Sequence, residues 1–340
     1  MSTAASSNCA VHTPDPKGST QFTAPEELLP SLRLLRIEDD LVRVDGVESP
    51  HPRRSTPLAF LRLQGADLCD AELAREDLAR AHLQQANLSR ANLTGTYMAS
   101  ANLAGARLDE VRAQRIYLTG AQLTGASLYR ADLQCALLNE AHLVGANFHE
   151  ANLARSYLYG SNLTQANLVG TELSRAHLHC SNLEQCWLVQ ADLSHAKVMG
   201  ANLKQARLFE AQASYTNFRN ANFECADLRN AELRGAYMNG ARFLGAQMHG
   251  AHLHGANLAA VHDLTQEQLD SAIGDRNTII PPLLQVPTHW ETEKSSPLAS
   301  IICAQMVDSI HRAIRPPATV LGSNTHACAS ARQAGKSRPL

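Results

Sequence analysis

A five-residue period governs this chain and leaves few folds open to it. From Ala66 the sequence reads ADLCD, AELAR, EDLAR, AHLQQ, ANLSR, ANLTG, and it keeps that phase without slip to ANLAA at 256–260, giving 39 consecutive pentapeptides. The central residues fall at every position ending in 3 or 8, from Leu68 to Leu258; 29 are Leu, four Phe and three Met, and only Ala113, Val198 and Ala213 depart. The residue two before each centre is Ala 29 times and otherwise almost always Ser, Thr, Cys or Val, with Glu76 and Ile116 as misfits. A period of five matches neither the 3.6 of an α-helix nor the 2.0 of a strand. It requires a chain that turns a corner every five residues, with two residues inward and three outward. Four such corners close a coil of about twenty residues, and stacked coils pair as parallel β at roughly 4.8 Å. Leucines then fill the bore in layers, and the residue two earlier must be small because a narrow bore has no room for more. A Leu- and Ala-rich helical solenoid is the alternative. It would spiral Leu around every face of its helices and would place Asn and Gly where helices tolerate them poorly.

The A(D/N)LXX pattern over 66–260 resembles the pentapeptide-repeat family. The resemblance implies an all-β solenoid, a right-handed quadrilateral parallel β-helix, here of about ten coils and roughly 45–50 Å long at that strand spacing. LTQEQLDSAIGD, followed by Pro-Pro and His289-Trp290, resembles the tail that follows the repeats in bacterial members. Within it, Leu264 to Gly274 is expected to form a short capping helix, with Thr265 and Gln268 as a capping box and Gly274 as the stop. Leu264, Leu269 and Ile273 are expected to close over the last coil, because a stack of coils exposes raw strand edges that need covering.

The flanking segments are less regular. Residues 1–24 and 315–340 have the Ser-, Pro- and Ala-rich composition of disordered tails. Residues 25–65 form an N-terminal extension and cap, with a short helix and strand expected within 26–48 and an irregular opening turn at 57–63. Residues 261–290 hold the cap helix and a Pro-rich segment. Residues 291–340 are a tail in which 298–314 has amphipathic helical spacing at Ile302, Met306, Ile310 and Ile314. That segment reads as a helix packed back on the rod, as a partner- or membrane-surface element, or as disordered.

Charge and cysteine content narrow the function classes. Lys plus Arg number 30 and Asp plus Glu 32, a formal net charge of −2, so there is no bulk attraction to nucleic acid or anionic membrane. The eight cysteines are scattered without CxxC spacing, which reads as free thiols in a reducing, cytoplasmic setting. There is no apolar run of 18 residues and no membrane span is expected.

Side chains twenty apart become vertical neighbours, so the outer surface can be read by columns. One column runs Asp77, Tyr97, Tyr117, Leu137, Tyr157, His177, Lys197, Asn217, Tyr237, Asn257 and holds four of the seven tyrosines. Two residues along, the same face carries Tyr159, His179 and Met199. Tyr97, Tyr117, Leu137, Tyr157, Tyr159, His177, His179, Met199 and Tyr237 are therefore the candidate partner-binding residues. The column has a second reading, as an aromatic ladder that stabilises its own rod. Val169, Val189 and Phe209 beside Trp187 form a smaller apolar group. The side read as opposite carries a mostly acidic column (Glu72, Asn92, Arg112, Asp132, Asn152, Glu172) and one of alternating sign (Asp70, Arg90, Glu110, Arg130, Glu150). A further face is polar, from His82 to Asn222.

No Walker loop, GxSxG or HExxH is present, and no catalytic residue, cofactor or metal site is expected. His249, His252 and His254 are the densest histidine group and face solvent. Three functions remain: a non-enzymatic scaffold that docks a protein partner on the tyrosine face, a DNA-mimicking modulator of DNA gyrase like the quinolone-resistance members of the family, or a host-directed secreted effector. Residues 66–260 hold 17 acidic and 16 basic side chains, a net of −1, which disfavours DNA mimicry. DNA binding itself is disfavoured on the same ground. End-to-end dimerisation is open.

Overall fold

The computed structural model describes residues 41–44, 47–50 and 60–290. Strands β1 (Leu41–Val44) and β2 (Val47–Pro50) pair antiparallel, Val44 opposite Val47. Of the short helix and strand expected within 26–48, everything before Leu41 lies outside the described residues, as do the tails and the 298–314 helix.

From Arg62 the chain is a β-helix. Isolated parallel bridges run Arg62↔His82, Asp67↔Asn87, Glu72↔Asn92, Asp77↔Tyr97 and onward to Arg242↔His262, each joining residues twenty apart. Turns at every fifth residue therefore give four sides to each coil. Pairing starts ahead of the first clean repeat: Leu63 is in the bore, its N–H donates to the His82 carbonyl, and Leu61 stands at the small position. Of the stretch 57–63 read as an irregular opening turn, the described part from Phe60 is thus already paired, because an end coil tolerates Leu61 where inner coils need Ala.

The backbone accounts for its own polar groups, as a buried backbone must. In a typical repeat the Leu88 N–H donates to the Arg107 carbonyl one coil up, Arg90 to Asp109, and Arg107 to Ala86 one coil down, while Ala91 closes the corner by donating to Leu88. That leaves the N–H after each centre. Where the second residue of a repeat is Asn or Asp, its side chain takes that proton: Ser89 N–H to Asn87 Oδ1 (3.2 Å), Ala104 to Asn102 (3.1 Å), Glu224 to Asn222 (3.1 Å). This is the physical reason for D or N in A(D/N)LXX. The corner residue carries positive φ, as at Arg90 (59°) and Gly95 (67°), so Gly recurs there.

Inside, exceptions to the repeat are compensated. Where the centre shrinks to Ala113, Val111 and Ile116 occupy the neighbouring small positions, and all three are fully buried. Ser and Thr at small positions donate to centre carbonyls, Ser156 to Leu153 (2.6 Å) and Thr96 to Leu73 (2.6 Å). Near the C-terminal end Phe218 meets Phe223 edge-to-face and Phe223 stacks on Phe243, with ring centroids 5.1 and 5.3 Å apart.

Glu76 is the uncompensated case. It is 3% exposed, and its Oε2 has no hydrogen-bond partner among the described residues. Burial, then the neighbouring Asp77, pushes its carboxyl from 4.5 up to about 7. The folded state holds the proton more tightly than the unfolded chain, so stability falls as pH rises from about 4.5 to about 7 and is level above that. Glu76→Ala is expected to remove this slope and to stabilise the rod at pH 8 by about 1–3 kcal/mol, the usual cost of an unpaired buried polar group. Urea titrations at pH 4 and pH 8 check it.

At the C-terminal end helix α1 (Gln266–Ser271) begins at Thr265, whose side chain accepts from the Gln268 N–H while the Gln268 side chain accepts from the Thr265 N–H. The closure differs from expectation in two ways. Ile273 is not under the cap: it pairs as a strand with His252 and its side chain is exposed, so Leu269, Ala272 and Trp290 are the buried lids. Gly274 does not stop the helix, which ends at Ala272; a Cβ on Gly274 would lie 2.7 Å from the Trp290 ring. Ile279 adds a second strand bridge, to Asn257.

Candidate interaction surface

The tyrosine column is continuous. Bridges link Tyr97 to Tyr117, Tyr117 to Leu137, Leu137 to Tyr157, Tyr157 to His177 and His177 to Lys197. The rings of Tyr97 and Tyr117 are 5.8 Å apart, those of Tyr157 and His177 4.6 Å, and those of His177 and His179 5.9 Å. Tyr159 and Met199 are each 38% exposed; the other side chains of the run to His177 are half-buried against one another. Tyr237 stands apart, separated from His177 by Lys197 and Asn217, with Arg219 5.5 Å from its ring centroid.

This strip is uncharged as far as Lys197. Burial, then Lys197, then His179, brings the His177 ring down from 6.5 to about 4. Burial and Lys197 lower His179 as well. Both imidazoles are therefore neutral at neutral pH.

The column also lacks, over a long run, the side-chain acceptor that Asn and Asp supply at many other repeats, although at one coil Asn139 Oδ1 takes the Tyr159 N–H instead (3.0 Å). From position 97 to 197 it reads Tyr, Tyr, Leu, Tyr, His, Lys, six successive coils without the Asn or Asp that would take the free backbone N–H. No other column omits them for so long. The signal was present in the sequence, but its meaning depended on seeing what the Asn side chain bonds to.

The placement of the other columns needs a correction. Half a coil is ten residues, so the face opposite Tyr157 and His177 carries Asn167 and Trp187. The acidic column from Glu72 lies on an adjacent face, one corner away. Its members and the alternating column form solvated ladders: Asn92 donates to Glu72 (2.8 Å), Arg90 pairs with Asp70 (2.7 Å) and Arg130 with Glu150 (2.6 Å). Such exposed pairs contribute little individually.

Among the described residues no group of His, Cys, Asp and Glu converges to hold a metal ion. His252 and His254 stack at 5.8 Å, and His252 sits 3.8 Å from Glu232. Cys186 is fully buried, which pushes its thiol up, away from reactivity. No helix among the described residues is long and apolar enough to cross a membrane.

A four-sided β-helix with a Leu-filled bore and surface columns defines a class of repeat protein that presents faces. The family model for pentapeptide repeats matches in eight copies between residues 62 and 261, and the chain belongs to that family, whose fold is a right-handed β-helical solenoid. Among solved structures it is similar to HetL, a pentapeptide repeat protein involved in heterocyst differentiation regulation from the cyanobacterium Nostoc. The two are 32% identical over 58% of this chain and 89% of HetL, with a TM-score of 0.58. It is also similar to a pentapeptide repeat protein of the Arabidopsis thaliana thylakoid lumen, at 24% identity over 40% of this chain and 88% of that one, TM-score 0.28. QnrB1, a plasmid-mediated fluoroquinolone resistance protein, is 17% identical over 65% of this chain and 92% of its own, TM-score 0.34. No curated protein sequence matches.

Proposed function

We propose that this protein is a non-enzymatic scaffold that holds a protein partner along the face built by Tyr97, Tyr117, Leu137, Tyr157, Tyr159, His177, His179 and Met199. The observation that carries this reading is the run of six coils in which Asn and Asp are given up. A lost side-chain hydrogen bond costs about 0.5–1.5 kcal/mol, and an aromatic pair returns about the same, 0.5–1.5 kcal/mol. Stability therefore gives no reason to prefer rings to asparagines here, whereas the neighbouring polar face keeps its asparagine ladder from Asn182 through Asn202 to Asn222. A contiguous neutral strip rich in Tyr, with Tyr159 and Met199 exposed, is what protein interfaces favour.

The gyrase-directed alternative would need a DNA-like surface. The repeat region has a net charge of −1, and its surface columns interleave both signs, so a saddle built for duplex DNA gains little from it. Affinity capture from the native cell tests the scaffold reading: wild type is expected to retain a partner that the Tyr97, Tyr117, Tyr157, Tyr159→Ser variant loses while its circular dichroism is unchanged. Equal capture by both would sink it.

A further inference from the structure

The face opposite the tyrosine strip has its own feature. Gln165, Asn167, Gln185, Trp187, Gln205 and Arg207 line an open groove of about 690 Å³ that runs along a corner of the rod. Trp187 is 47% exposed, and the Arg207 guanidinium lies over its ring at 4.8 Å from the centroid. Beside them the glutamines form an amide ladder, Gln165 Nε2 to Gln185 Oε1 (2.9 Å) and Gln185 Nε2 to Gln205 Oε1 (2.8 Å).

The chemistry of these side chains selects a ligand class. A primary amide has two N–H donors and an oxygen with two lone pairs. The ladder consumes one donor and one acceptor of Gln185, leaving one of each to offer at every coil. Groups that donate and accept side by side suit hydroxyls, which do the same. Arg207 covers part of the indole, and the remainder of its exposed surface is flat and apolar, suited to the C–H face of a ring, with Val169 and Val189 two residues along from Asn167 and Trp187. Carboxylates are absent from the lining, and Arg207 is its one cation. We propose that this groove binds a neutral oligosaccharide laid along the rod axis, one sugar ring against Trp187 and its hydroxyls on the Gln165–Gln185–Gln205 ladder and Asn167.

Two other occupants fit less well. An added peptide strand has no edge to join, since the Trp187 N–H already donates to the Ala166 carbonyl and the Leu188 N–H to the Arg207 carbonyl. Single-stranded nucleic acid would find an indole to stack on but only one cation in a neutral rod, where such ligands need a positive groove.

Calorimetric titration of the full chain tests the assignment, with hexasaccharides of β-1,4-linked glucose, β-1,3-linked glucose and N-acetylglucosamine as probes. Oligothymidine and a proline-rich peptide are run alongside. At least one hexasaccharide is expected to bind saturably, with affinity falling about tenfold or more in Trp187→Ala and in Gln185→Leu. Tyr157→Ser, on the opposite face, should leave it unchanged, which separates this site from the partner-docking surface. Silence from all three sugars, binding undiminished in Trp187→Ala, or binding of oligothymidine or peptide alone would each overturn the proposal.

Discussion

Trp290→Ala is expected to destabilise the C-terminal end of the rod by about 3–5 kcal/mol, the usual range for truncating a buried aromatic. The indole is 4% exposed, its Nε1 donates to the Ala272 carbonyl at 3.0 Å, and its ring lies on Gly274. His289 reaches the same carbonyl from its Nε2 (2.9 Å). Together they pin the turn that follows α1, and that turn supplies the Ile273 strand whose carbonyl accepts from the Leu253 N–H. In a solenoid each coil touches only its neighbours, so the loss is local. Hydrogen exchange should therefore accelerate at Leu253 and Leu258 while amides in the middle coils, such as Leu158, keep their protection. Gly274→Ala should act in the same direction through the same contact, because its Cβ would lie 2.7 Å from the ring that now rests on the glycine. Uniform loss of protection along the rod would show instead that the coils unfold as one unit.

Much of this architecture could be read before any coordinates. The Leu centres and Ala positions needed only a bore, and a bore needed only the period; the bridges from Arg62 to His262 follow it without exception. The tyrosine column was legible for the same reason, since counting by twenty is enough to stack Tyr97, Tyr117 and Tyr157. Three features were hidden because they depend on something other than the period. Gly274 meets a residue sixteen positions along, Trp290, and no spacing rule links them. Ile273 looked like a helical lid, but α1 ends before it and the open edge of the last coil captures it as a strand. The groove beside Trp187 appears only when the Gln column is seen to bond to itself, whereas the placement of Trp187 opposite the tyrosine strip follows from the period alone, as half a coil of ten residues.

Replacing Tyr97, Tyr117, Tyr157 and Tyr159 together decides between an interface and a self-supporting ladder, if the replacement is chosen for what it restores. At 97, 117 and 157 asparagine is the residue the repeat favours, because its Oδ1 can take the N–H two residues on, as Asn102 does for Ala104 (3.1 Å); at 157 the gain is smaller, since the Tyr159 N–H already donates to Asn139 Oδ1 (3.0 Å). Each such bond contributes about 0.5–1.5 kcal/mol, against the loss of an aromatic pair of similar size. The variant with Asn at these three positions and Ser at 159 should therefore match wild type in urea unfolding to within roughly 1 kcal/mol per site. It should nevertheless lose its partner by about a hundredfold or more, since buried aromatic side chains that anchor interfaces cost 2 kcal/mol and upward each when truncated. The ladder reading predicts the reverse pattern, with stability lower by the Tyr97–Tyr117 and Tyr157–His177 pairs and capture intact. Because His177 and His179 remain, neutral at pH 7, the variant keeps the ring pair at their end of the strip. Residual binding that then disappears in His177→Asn would place the rest of the contact there.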